Sequence, residues 1–276
     1  MAVGATEYGK HGRRGGRLTR RPLPESDPSI DALPAPQRLH LAAIWLQRAS
    51  RERRVADSFE VIQGALVRRG AADPLIELAT RAVDDEYRHA ELSRIVASRF
   101  AGQELPAPPR LPLEVPRHRG ASPELRDTLH IVGQCVFNET TASAFLETCL
   151  AHARGPLATT ALRELLSDEI DHGRIGWAHL ASLDRQSRAA VTPWLLPMAY
   201  LNLRIWRDES PPDPRHADAL TDHGAPPGEV IHQALVDALR TLIVPGLKEL
   251  GIDTGRLEAW IDTGAQTERP PVEFAR

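Results

Sequence analysis

The pattern Asp-Glu-x-x-His occurs twice in this chain, as "DEYRH" at 85–89 and "DEIDH" at 168–172, each inside a long segment that otherwise reads as buried helix. On a helix, residues i and i+3 share a face, roughly 4.5 Å apart along the axis. Glu86 with His89, and Glu169 with His172, can therefore each present an oxygen and a nitrogen to one metal ion. A single Glu-x-x-His is common on solvated helix faces. Buried carboxylates and imidazoles are costly unless paired or metal-bound, so the repeat calls for a fold in which two long helices face each other across a shared polar site.

The rest of the chain can supply such a fold. No stretch alternates apolar and polar residues as a strand does, and Pro/Gly clusters cut the sequence into long helical segments. A first helix is predicted from about Pro36 to Arg69, ending at "GAAD", where Asp73 can cap a second helix that has Pro74 in its first turn and runs to about Phe100. Residues 101–123, "AGQELPAPPRLPLEVPRHRGASP", are too proline-rich for a helix and long for a loop. A third helix covers about Pro123 to Arg154, "RGP" turns the chain, and a fourth runs from Pro156 to about Leu183. Two helical hairpins joined by one long crossover predict an all-α four-helix bundle. Beyond it come a helix at about 188–208 with a kink at Pro197, a polar proline-rich loop at 209–227, and helices at about 228–250 and 254–264 whose apolar faces pack on the bundle. The helical domain thus spans 36–265, with a core bundle at 36–183 and accessory helices at 188–264, between a disordered arm (1–35) and a loose tail (266–276). Lys10, Arg13, Arg14, Arg17, Arg20 and Arg21 make the arm basic, which suits either a tether to something acidic or a solvated tail.

Hairpin register finds partners for the two motifs. Taking Gly70 as the first turn, Glu86 and His89 lie 16 and 19 residues after it and Glu52 lies 18 before it. Asp57 is the nearest competitor and Glu60 is further off level, but only Glu52 belongs to the apolar stripe of Trp45, Ala49, Ala56 and Phe59. Taking Gly155 as the second turn, Glu169 and His172 lie 14 and 17 after it and Glu139 lies 16 before it, on an apolar face with Cys135, Val136, Ala142 and Leu146. Six residues should converge: Glu52, Glu86, His89, Glu139, Glu169 and His172. Four buried carboxylates repel one another, and two divalent cations would cancel their charge. Oxygen and imidazole donors without thiolate suit iron or manganese, with zinc as a further option. A metal-bound His usually gives its other N–H to a carboxylate, carbonyl or water. Asp85 is placed to serve His172 in this way, and Asp168 to serve His89.

Composition sets limits. With 42% hydrophobic and 26% charged residues the chain has the balance of a soluble globular protein, and a net charge of −3 gives no argument for nucleic acid or a membrane. Cys135 and Cys149 fall on one predicted helix about 21 Å apart, so they cannot pair, and two thiols cannot make a four-cysteine site. No apolar run follows the N-terminal arginines, and the most apolar window, "WLLPMAYLNLRIW" (194–206), is short and interrupted. These features predict a reduced, cytoplasmic protein.

With Glu52 and Glu139, the two motifs resemble the signature of the ferritin-like superfamily of di-iron carboxylate proteins, over residues about 40–180. The resemblance implies a ferritin-like bundle and two iron ions, or a manganese–iron pair. It is specific for the metal site rather than for one reaction, since the superfamily includes ribonucleotide reductase small subunits, multicomponent monooxygenases, acyl-carrier-protein desaturases, arylamine N-oxygenases, rubrerythrins and ferritins. The rubrerythrin four-cysteine domain is missing, and Leu165 stands where N-oxygenases carry a third His. Tyr87 adjoins Glu86 but points off the metal-facing stripe, which disfavours a radical-generating subunit. The resemblance implies O2-dependent oxidation of a small organic substrate, with an external reductase or ferredoxin and a homodimer as the implied partners. Glu139 would be the carboxylate that changes binding mode. Ser143, one turn after it, would either line the oxygen side or bond back to its own helix. A ferroxidase or peroxidase, and a non-catalytic metal-stabilised bundle, are the alternatives. His130, His216, His223 and His232 lack matching partners and read as ordinary histidines.

Overall fold

The computed structural model describes residues 18–207, 217–263 and 265; Lys10 to Arg17, residues 208–216 and the 266–276 tail lie outside the described residues. All regular structure among the described residues is helical. After a short α1 (Pro28–Asp31) come two long helices, α2 (Ala35–Arg68) and α3 (Asp73–Ala101). They pack along each other as a hairpin. Gly70 makes the turn: its left-handed φ of 62° lets Ala71 N–H donate to the Leu66 carbonyl and close the helix end. The N-cap of α3 is Ala72, not Asp73 as the sequence suggests. Asp73 instead opens the first turn, where its charge suits the helix N-terminus.

After the crossover, α4 (Pro123–Ile131) is capped by Ser122 Oγ, which accepts from the Leu125 N–H at 3.2 Å. It continues through a π-helical segment (Val132–Asn138) into α5 (Glu139–His152), so the third predicted helix is continuous but locally widened. The π segment and α5 pack against α6 (Pro156–Ser182), and α6 packs against α3. The π segment approaches α6 at Gly176, where a Cβ would lie 2.9 Å from the Val136 backbone nitrogen.

Beyond α6 lie α7 (Arg185–Ala189), α8 (Thr192–Arg207, with Pro197 inside it), α9 (Ala217–Asp222) and α10 (Gly228–Ala238). A second π segment (Leu239–Ile243) leads into α11 (Val244–Glu249), and α12 (Gly255–Thr263) closes the described chain. The stretch Gly228–Glu249 is long and apolar enough to cross a membrane by length and composition. Within the protein α10 packs on α5 and α8, burying Ile231, Leu235 and Val236 in the core. The first half of that stretch therefore has a protein surface to cover.

Buried apolar residues form two clusters. The larger holds Leu41, Trp45, Leu92, Val96, Phe100, Phe145 and Leu146, with the accessory helices around it. The smaller, near the α2–α3 turn, holds Phe59, Ile62, Leu66, Ala79, Ala82, Cys135 and Ile175. In sequence, Glu52, Glu86 and His89 fall between the contributions of α2 and α3 to these two clusters. The polar residues form a layer with apolar packing above and below.

The end of the N-terminal arm and the crossover both lie against the helices. Residues 18–34, assigned above to the arm, run over α3 and α6. Asp27 caps α1 and also accepts the Leu157 N–H at 3.0 Å, satisfying a donor at the start of α6. The Arg20 backbone N–H donates to Glu164 Oε2 at 2.7 Å, and Arg88 donates to the Leu18 carbonyl. The crossover is pinned to α2 by Arg110, whose Nε donates to Asp57 Oδ2 at 3.1 Å. Asp57, the competitor of Glu52 in hairpin register, is thereby committed to a different partner.

Candidate metal centre

Four helices bring the six predicted residues together. Glu52, Glu86, His89 and Glu169 form one group, and Glu86, Glu139, Glu169 and His172 a second, each with ligand atoms within 4.8 Å of one another. Glu86 and Glu169 belong to both groups. Glu86 and His89 are fully buried and Glu139, Glu169 and His172 nearly so, while Glu52 is partly exposed.

The histidines have an inner and an outer nitrogen. His89 Nδ1 lies 3.6 Å from Glu86 and 3.5 Å from Glu169; His172 Nδ1 lies 2.9 Å from Glu86 and 3.4 Å from Glu169. The outer nitrogens face aspartates: His89 Nε2 is 3.2 Å from Asp168, and His172 Nε2 is 3.6 Å from Asp85. Each aspartate thus reaches across to the histidine of the other motif. Arg88 joins the two, with Nη2 3.4 Å from Asp85 and in contact with Asp168. Arg20 reaches Asp168 from the N-terminal segment.

Both Glu86 oxygens, Glu169 Oε2 and the inner nitrogens of both histidines are buried without a hydrogen-bond partner. Buried polar atoms are nearly always satisfied, and five orphans facing one another have the chemistry of a ligand set. The donor set, four carboxylates and two imidazoles, is one that could hold metal ions.

Protons can stand in for that charge. Burial, then the neighbouring Glu86 and Glu169, raises Glu52 well above the usual carboxylate range. Burial and Glu169 do the same to Glu139. Burial would lower His89, but Asp168, Glu86 and Glu169 outweigh it and raise the imidazole to about 10. His172 is raised in the same way by Asp85, Glu169 and Glu86. Burial opposes ionisation of Glu86, yet the two histidines hold it below its ordinary value.

The π segment supplies a contact that α-helical spacing does not place. The Glu139 backbone N–H donates to the Gln134 carbonyl, five residues back, and Gln134 Nε2 donates to Glu139 Oε1 at 2.5 Å. Ser58 Oγ–H donates to Gln134 Oε1 at 3.0 Å, and His130 Nε2 lies 3.1 Å from Ser58 Oγ. Hydrogen bonds running His130 to Ser58 to Gln134 to Glu139 all point toward the carboxylate. Gln134, Ser58 and His130 were not legible as site residues; a glutamine five before a buried Glu is a signal only once the π turn is known. Arg88 was the more readable omission, since it precedes a motif histidine.

A cavity of about 540 Å3 opens on the Glu139 side, where Glu52, Glu139 and Glu169 line it with Val55, Leu113, Ala142, Phe145, Leu146 and Trp206. Ser143 does not line this cavity; that level of α5 presents Ala142 and Leu146 instead, and Ser143 is half-buried elsewhere. Tyr87 lies away from the ligand atoms, its hydroxyl 3.4 Å from both Asp57 and Glu60. Cys135 and Cys149 are buried free thiols. Compared with models of known protein families and with curated proteins, the chain matches none.

Proposed function

We propose that this chain is a ferritin-like di-metal oxidoreductase that uses O2 to oxidise a small organic substrate. The observation that carries the reading is the 540 Å3 cavity that reaches Glu52, Glu139 and Glu169 and has Val55, Leu113, Ala142, Phe145, Leu146 and Trp206 on its wall. A volume of that order suits a small molecule. Two long helical hairpins, one crossover and a level Glu beside each Asp-Glu-x-x-His support the ferritin-like assignment.

Glu52, Glu86, His89, Glu139, Glu169 and His172 would hold two iron ions, or a manganese–iron pair. When bound, such a pair supplies O2 reduction coupled to oxidation of a C–H or N–H bond. The chain's own contributions are positional. Asp168 accepts from the outer nitrogen of His89 and sets its ring orientation, Asp85 faces the outer nitrogen of His172 at 3.6 Å, and Arg88 contacts both aspartates. Gln134 restrains one Glu139 oxygen. Electrons come from an external reductase or ferredoxin, since the chain's two thiols are buried within helix packing.

A ferroxidase is the second reading, favoured by the partial exposure of Glu52 on the cavity. Arg48, Arg51 and Arg54 line the same cavity and oppose cation entry along it, so the organic-substrate reading stands first. The test is O2 addition to the anaerobic Fe(II) protein. A transient visible absorption, without accumulation of ferric oxide, is expected. A featureless trace with several irons oxidised and retained per chain would establish the ferroxidase instead.

A further inference from the structure

Arg48 sits on α2 one turn before Glu52 and is only 5% exposed. Its guanidinium carbon lies 4.7 Å from the Trp45 ring centroid and 5.0 Å from that of Phe145. Nη2 donates to the Gly224 carbonyl at 2.8 Å and lies 3.8 Å from Cys149 Sγ. Nε and Nη1 have no hydrogen-bond partner; together they carry three of the five guanidinium N–H groups. No Asp or Glu among the described residues forms an ion pair with Arg48. A buried cation without a counter-ion is costly, and two aromatic faces replace only part of its hydration.

Arg48 also lines the cavity, beside Arg51 and Arg54. Besides the proposed ligands, Glu114 is the one acid lining it among the described residues. This step rests on the di-metal reading: once two dications neutralise the ligand glutamates, Arg48 remains a buried cation on the cavity with no carboxylate partner among the described residues. We infer that the cavity takes an organic carboxylate. Its anionic end is held by Arg48, and its apolar body lies along Val55, Ala142, Leu146 and Trp206 toward Glu139. A planar carboxylate matches the guanidinium fork, and the single socket between two rings suits one anionic group rather than a polyanion.

The test is calorimetric titration of hexanoate and of hexan-1-ol into the anaerobic Fe(II)-loaded protein, with iron per chain measured on the same samples. Hexanoate should bind at least tenfold tighter than the alcohol. Arg48→Met should weaken hexanoate at least tenfold and leave the alcohol unchanged, with iron retained. Equal affinity for acid and alcohol, or native hexanoate affinity in Arg48→Met, overturns the inference. Ala142→Phe, which fills the cavity and keeps Arg48, covers the case in which Arg48→Met does not fold; native hexanoate affinity there also overturns it. Two irons per chain with no preference for the acid defeats this inference alone. An acid preference that depends on Arg48 in a chain that takes up no iron defeats the di-metal reading alone.

Discussion

At the residue scale the two histidines are held from both sides. Their inner nitrogens face Glu86 and Glu169 without hydrogen bonds, and their outer nitrogens face Asp168 and Asp85. His89→Ala removes a donor from one of the two groups, so bound iron should fall from two per chain to one or none in elemental analysis; retention of both would contradict the ligand set. Arg88→Met is the more discriminating change. It leaves all six donors intact and releases the two aspartates that face the outer histidine nitrogens. Loss of such an outer partner typically costs about 10–100-fold in metal affinity. The same loss should appear in competition with a metal chelator, with the fold intact by circular dichroism. Of this arrangement, the convergence of the six residues and the crossed aspartates were legible from the sequence, because helical spacing and hairpin register fix which face each occupies. Arg88 was not singled out, because an arginine beside a histidine on a helix is normally a solvated residue.

At the element scale, the long helices were readable because proline, glycine and apolar periodicity agree on their ends, and the predicted bounds differ from the observed ones by one or two residues. The π segment was not readable. Its pattern, Val132 to Asn138, keeps an apolar face that an α-helix would serve equally well, and the difference lies in packing against α6 rather than in local preference. Gly176 is where that packing is closest. A Cβ there would meet Val136 Cγ2 at 2.7 Å, Cys135 Cβ at 2.9 Å and the Val136 nitrogen at 2.9 Å. The backbone atom cannot rotate away, so α6 and the π segment must separate. Gly176→Ala would gain helix propensity in α6, yet overpacking costs about 1–3 kcal/mol. A net loss of stability is expected in urea unfolding, together with weaker iron binding, since the π segment positions Gln134 and Glu139. A more stable Gly176→Ala protein would show that the π turn is not held in place by this contact.

At the scale of the whole molecule, the site is a polar layer between two apolar clusters, and the N-terminal segment and the crossover lie against the helices that carry it. Residues 18–34 and the crossover lack helical periodicity, and their attachment depends on single contacts: Asp27 with the start of α6, Arg20 with Asp168, Arg110 with Asp57. No local pattern announces these. The layer itself makes folding and metal binding depend on pH in opposite directions. His89 and His172 have raised values in the fold, so their stabilising contribution is full below about 6.5, the ordinary histidine value, and is lost as pH rises toward about 10 for His89. Glu52 and Glu139 are also raised; folding keeps protons on them that the unfolded chain releases near its ordinary carboxylate value, so they oppose folding increasingly as pH climbs above that range. All four groups make the metal-free fold bind more protons than the unfolded chain, and stability must then fall with rising pH. Glu86 and Asp168 are lowered and act in the separate acid window, their contribution being lost as pH falls below the ordinary carboxylate range. Metal binding displaces the same protons, so its affinity should rise with pH. Melting curves of the chelator-treated protein should therefore move down by several degrees between pH 6 and pH 9, on the order of what a few kcal/mol does in a chain of this size. The gap to the anaerobic Fe(II)-loaded protein should widen over the same interval, with protons released to the buffer on loading. A metal-free midpoint that climbs from pH 6 to pH 9 would mean that the four groups are not holding those protons, and that something other than protonation balances the charge of the buried carboxylates.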